Sequence, residues 1–156
     1  MRHLIFIILL IVTVVASCKN TEKQEEIINA NEAIQEHVDG VLSTQWMNNM
    51  QLNKGAKWGA NIETSEGVKK MQALLKSQRT KSIEDYHQLA NKLNDSKNNV
   101  VKECTMKGAS HDNLHVWLLP LIKKIELLSE TKLVEDASKI KQSIEENINT
   151  YSDYFE

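Results

Sequence analysis

From Ile83 to Phe155 the apolar residues recur at mixed steps of three and four, the pattern of helices that each bury one face. The first series is Ile83, Tyr86, Ala90, Leu93, Lys97, Val100 and Cys104, broken only by Lys97; it places Cys104 on an inward seam. The second is His111, His115, Leu118, Ile122 and Ile125, and the third Leu133, Ala137, Ile140, Ile144, Ile148, Tyr151 and Phe155. One proline and five glycines among 156 residues leave little material for the turns of a sheet. Lys, Glu, Gln, Asn, Leu and Ile dominate instead, which suits helices with solvated outer faces.

Local signals set the boundaries. Ser82 with Asp85 three residues later reads as a capping box, with Asp replacing the usual Glu or Gln. Gly108 is placed to close the helix that starts there, because glycine turns left-handed without steric cost. Ser110 can cap the next helix, with Asp112 in its first turn, and Pro120 predicts a kink near 116–120. A last helix runs from about residue 131. Upstream, Ile27, Ala30, Ile34, Val38, Val41 and Met47 predict a helix from about 24 to about 51, with His37 facing inward. Residues 53–64 read as a loop pinned by Trp58. Thr64, Ser65 and Glu66 then open a weaker segment carrying Val68, Met71, Leu74 and Leu75, before the polar run at 76–82 turns the chain. Short connections make neighbouring helices antiparallel. The expectation is an all-α, antiparallel up-and-down four-helix bundle over 27–156, with an extra short or broken helical segment at about 65–78.

The first 17 residues, MRHLIFIILLIVTVVAS, combine a basic start, an apolar run and small residues at the end, as a secretory signal does. The run is too short for a comfortable membrane span, which needs about 20 apolar residues. Val15-Ala16-Ser17-Cys18 resembles the lipobox of bacterial lipoprotein precursors. That resemblance implies removal of residues 1–17, export, and acyl chains on Cys18 that hold the protein to a membrane, with 18–26 as lipidated cysteine and tether. Lys19 in place of Asp implies, by the same resemblance, the outer membrane of a two-membrane envelope. The charge balance, 19 basic against 21 acidic residues, is mild and suggests neither broad electrostatic attachment to anionic lipid nor nucleic acid, so no nucleic-acid partner is expected.

Lipidation of Cys18 would leave Cys104 alone in an oxidising compartment. Around it stand Met106, His111 and His115, and the two histidines, four apart, project from one helix face. Thiolate, thioether and two imidazoles are the donors of a soft ion, so Cys104, Met106, His111 and His115 are candidate ligands for copper, particularly Cu(I). Asp112 is a candidate acceptor orienting an imidazole, and Met47 and Met50 are candidate extra donors. The run CTMKGASHDNLHVWLLPLI resembles small exported helical proteins of metal handling. Buffering, delivery or sensing of the ion follows as the expected role, with a metal-transfer protein as partner. Two other readings stand beside it. One is a structural or partner-binding lipoprotein with Cys104 in the core or in an interchain disulfide. The other is a bundle holding b-type haem between His111 or His115 and Met47; no C-x-x-C-H is present for covalent haem. No enzyme is expected. The sequence has no nucleophile elbow, phosphate-cradling glycine loop or H-E-x-x-H, and a Cys104–histidine pair lacks a recognisable oxyanion site.

Overall fold

The structure, a computed structural model, describes residues 35–156. The expected signal segment 1–17, the expected lipidation site Cys18, the expected tether and the start of the expected first helix lie outside the described residues. Residues 37–156 form one compact unit. Four long helices build it: α1 Ile62–Ser77, α2 Ile83–Glu103, α3 Gly108–Glu130 and α4 Val134–Tyr154. Each packs on the next, and α4 closes back onto α1, so the chain makes an up-and-down four-helix bundle. Among the described residues no helix is long and apolar enough to cross a membrane.

The membership of the bundle differs from the expectation at its start. The segment read as short or broken at 65–78 is the 16-residue helix α1. Its buried face is Thr64, Val68, Met71 and Leu75, so a threonine supplies the first inward position and hides the apolar period. A Cβ on Gly67 would run into the Val100 side chain, so only glycine lets α1 and α2 approach this closely. On α2 the inward position expected of Lys97 belongs to Ser96, fully buried, whose hydroxyl is satisfied by the Lys92 carbonyl at 3.1 Å.

The helix expected over 24–51 ends early. Residues 35–42 are helical, and then the chain makes a 3-10 turn at Gln45–Asn49 and an extended Met50. Ser43 Oγ accepts from the Gln45 N–H at 3.2 Å, a side chain competing with the helical ladder. His37, expected inward, is exposed.

Ser82 and Asp85 form the capping box as read, with Asp85 N–H on Ser82 Oγ at 3.3 Å and Ser82 N–H on Asp85 Oδ2 at 3.0 Å. The Lys81 and Ser82 amides hold the Asp85 carboxyl below its ordinary range. The α2–α3 junction runs differently. α2 stops at Glu103, and Cys104 is extended rather than helical. Gly108 is left-handed, with φ 61°, yet it opens α3 instead of closing α2. Ser110 lies inside that first turn and donates back to the Lys107 carbonyl at 3.1 Å, so it is not the cap.

α3 is also rotated from the face predicted. Leu114, Trp117, Leu118, Leu121, Ile125 and Leu128 are buried, whereas His111 is half-buried and His115 exposed. Burying Trp117, the largest side chain in the core, with two leucines one turn to either side outweighs the stripe drawn through the histidines. The helix continues through Pro120. α4 buries Ala137, Ile140, Ile144, Ile148 and Tyr151, as their spacing requires, while Leu133 just ahead of it stays 63% exposed.

The loop before α1 is tied to the far end of the chain. Asn53–Ala56 is a tight turn with Lys54 and Gly55 both left-handed. Trp58 N–H then donates to the Tyr154 carbonyl at 2.7 Å, Glu156 N–H to Trp58 at 3.0 Å and Ala60 N–H to Glu156 at 2.9 Å. Trp58 is thus a pin, as expected. It acts through backbone pairing and through an indole N–H on the Gln51 carbonyl at 2.6 Å.

Candidate functional site

The site assembles where α2 gives way to α3. Because Cys104 has left the helix, its sulfur turns toward the first turns of α3 and is half-buried against the core. Cys104 Sγ lies 3.7 Å from His111 Nδ1. One turn further on, His115 Nε2 lies 3.0 Å from His111 Nε2, the two rings meeting edge to face with centroids 4.5 Å apart. The i, i+4 spacing that pairs the imidazoles was legible in the sequence. The order of contact was not.

Two nitrogens this close share one proton. If His111 carries it on Nε2, its Nδ1 is bare and accepts from the Cys104 thiol. If His115 carries it, His111 holds its own proton on Nδ1 and donates to the sulfur. In both cases a continuous donor–acceptor line runs from the half-buried sulfur through His111 to the exposed ring of His115.

This is a row and not a cage. His111 turns one nitrogen to the sulfur and the other to His115, so the three groups do not surround a common point. Among the described residues no group of three or more His, Cys, Asp and Glu side chains is arranged to hold one ion. The expected four-donor convergence is corrected accordingly. Met106, in the same loop, packs half-buried against the core. Asp112 is exposed and lines an open groove with Lys54 and Trp58, away from the imidazoles.

Met50 is a buried core residue, and Met47 sits on the 3-10 turn that packs against α3. That turn leads into Gln51, whose backbone N–H and carbonyl clasp the Asn113 amide at 3.0 and 2.7 Å. Residues two apart on a helix point about 200° from one another, so Asn113 and His111 occupy opposite flanks of α3. The methionines of 47–50 therefore do not join the histidines, whether as extra donors or as a haem ligand pair.

What remains fits a smaller task. A sulfur and a nitrogen bonded to the same ion at about 2.3 and about 2.0 Å stand about 3.7 Å apart when the angle between them is about 120°. The Cys104–His111 pair has that spacing. Its other imidazole nitrogen is held by His115, the kind of outer support that fixes the tautomer of a ligand histidine.

The hydrogen bonds of three further polar side chains were not read from the sequence. Asn61 hydrogen-bonds the backbone on both sides of Cys104. Tyr151 shares a 3.2 Å hydrogen bond with Ser65 Oγ; burial raises its pKa, that hydrogen bond opposes the rise, and the nearby Cys104 adds a smaller push upward. Lys124 is fully buried between α3 and α4. Its ammonium donates to the Ser143 carbonyl at 3.4 Å and Asn147 Oδ1 at 3.2 Å, and it lies 5.7 Å from the Trp46 ring centre. Burial pushes its pKa down to about 8, against a smaller opposing pull from Glu146. Trp117, Leu121, Lys124 and Leu128 follow steps of four, three and four, so the seam itself could have disclosed the lysine.

No protein-family model, curated protein or solved structure matches this chain.

Proposed function

We propose that this protein is an exported, lipid-anchored helical bundle that takes up one soft transition-metal ion, copper(I), on Cys104 Sγ and His111 Nδ1. Its role is to buffer, deliver or sense that ion at the membrane surface. The carrying observation is the 3.7 Å separation of sulfur and imidazole nitrogen, at a loop the rest of the bundle holds in place. Thiolate and imidazole are donors that Cu(I) prefers over hard oxygen ligands. His115 supports the pair by accepting from the outer Nε2–H of His111, the tautomer that leaves Nδ1 bare for the ion. Anchoring rests on the lipobox-like Val15-Ala16-Ser17-Cys18.

Titration with Cu(I) against a colorimetric chelator under reducing conditions tests the site. Wild type is expected to bind one equivalent, Cys104→Ser to lose at least a hundredfold in affinity, and His115→Ala to lose less than His111→Ala. Equal binding by wild type and Cys104→Ser overturns the reading. Mass analysis of the protein from its own envelope tests the anchor: a diacylglyceryl group on Cys18 is expected, and an unmodified chain retaining residues 1–17 would refute it.

One observation favours a second reading, a partner-binding lipoprotein in which Cys104 serves as core: the cysteine packs half-buried against the hydrophobic cluster. Under that reading Cys104→Ala lowers the unfolding midpoint and no Cu(I) is bound.

A further inference from the structure

Two hydrogen bonds reach the backbone on either side of Cys104, and both come from one side chain. Asn61 Nδ2 donates to the Glu103 carbonyl at 3.1 Å, and Asn61 Oδ1 accepts from the Thr105 N–H at 3.4 Å. Resting on the site reading above, we infer that Asn61 is its positioning residue: it sets where the Cys104 sulfur stands relative to His111.

Asn61 precedes α1 in an extended conformation, where an asparagine ordinarily turns its side-chain oxygen onto the amides of its own first turn. Here there is no such capping bond. The amide bonds only side chains of that turn, Glu63 and Thr64, and spends its backbone hydrogen bonds on the end of α2. Cys104 needs this because it has left α2 and is extended.

The amide is itself held firmly. Thr64, fully buried, donates its hydroxyl to Asn61 Oδ1 at 2.7 Å. Asn61 Nδ2 also donates to Glu63 Oε2 at 2.8 Å, and this bond leads the causes that lower the Glu63 pKa. All four bonds agree with a single orientation of the amide: oxygen accepts twice, nitrogen donates twice. Aspartate would keep the acceptances and lose the donations, besides placing a second carboxylate beside Glu63. Glutamine would push both ends out of register by a methylene. The chemistry at this position is specific to asparagine.

The decisive measurement is the imidazole ¹⁵N spectrum of the full metal-free protein, because His111 Nδ1 reports its contact with sulfur directly. Cys104→Ala defines the shift that follows when the sulfur is absent. Asn61→Ala is expected to produce at least half of that shift, with helix content unchanged by circular dichroism. Added to Cys104→Ala, it should move His111 Nδ1 no further. Cu(I) affinity should fall at least tenfold in Asn61→Ala, with Asn61→Asp between it and wild type. A folded Asn61→Ala protein with the wild-type His111 signal overturns the inference, as does an equal added shift in the Cys104→Ala background, which would mean general loosening. If Asn61→Ala does not fold, Asn61→Asp is judged by the same two criteria. Failure of wild type to bind Cu(I) sinks the copper reading alone, since the nitrogen signals judge Asn61 without metal.

Discussion

Two polar clusters lie on α3, and they live under opposite conditions. At its N-terminal end Cys104, His111 and His115 hydrogen-bond one another and lead out to water. Midway along, Lys124 is sealed between α3 and α4 and meets a carbonyl, an amide and an indole face. Asn147 completes that seam by accepting from the Trp117 indole through its carbonyl at 2.8 Å and returning its amide to the Trp117 carbonyl at 3.1 Å. The first cluster can exchange protons with its surroundings and is bought with little burial. The second is woven into the core, where an unpaired group has no water to turn to. Polar residues on one helix thus divide into those whose loss would change chemistry and those whose loss would change the fold.

That division can be broken by mutation. The largest effect belongs to Asn147→Ala, which strips a partner from Lys124 and from the Trp117 carbonyl together. Urea unfolding should show a loss of about 3 kcal/mol. Next comes Lys124→Met. The ammonium has a folded-state pKa of about 8 against 10.5 for the free side chain, so below pH 8 the folded protein bears a cost of about 3 kcal/mol for keeping it charged. Between pH 8 and 10.5 the unfolded chain holds more protons than the folded one, and stability therefore rises with pH across that window. Methionine removes the cost but leaves two acceptors without their donor. A net gain of about 2 kcal/mol at pH 7 is expected, with the rise above pH 8 abolished. A stability curve that still climbs in Lys124→Met would place the titration elsewhere.

His87 is the intermediate case. Its Nε2–H donates to the Thr131 carbonyl at 2.8 Å, tying α2 to the α3–α4 turn while the ring stays half-buried. His87→Ala should cost about 1 kcal/mol. The smallest effect is assigned to His115→Ala, an exposed ring whose replacement should move stability by less than about 0.5 kcal/mol. A loss approaching that of Asn147→Ala would erase the distinction between the two clusters.

Much of the fold was legible because the helices obey one period. The α4 stripe from Ala137 to Tyr151 and the Ser82–Asp85 cap needed nothing beyond spacing and side-chain chemistry. α1 was misjudged for a physical reason. Gly67 lies against Val100 of α2 and Thr64 fills the first buried position, and small or polar residues of this kind do not register as an apolar face. α3 was read one flank out because two stripes compete on it; the winner is decided by the bulk of Trp117, which spacing alone does not weigh. The cluster of Cys104, His111 and His115 was visible as neighbours in sequence. Its linear order was not, because that depends on Cys104 leaving the helix, and the residue arranging that exit lies in a distant loop.

The pairing of residues 58–60 with 154–156 bears on the order in which these parts come into being. Asn61 directly follows the paired stretch, so its placement depends on a contact between segments far apart in sequence. Such contacts close late, because the intervening chain must first give up its freedom. During synthesis Cys104 and His111 emerge well before Phe155. The bonds by which Asn61 fixes the Cys104 backbone are therefore expected to form only after the downstream helix has docked. Completion of the site becomes a late event of folding, and a chain stalled short of that step carries the right residues without the geometry to use them.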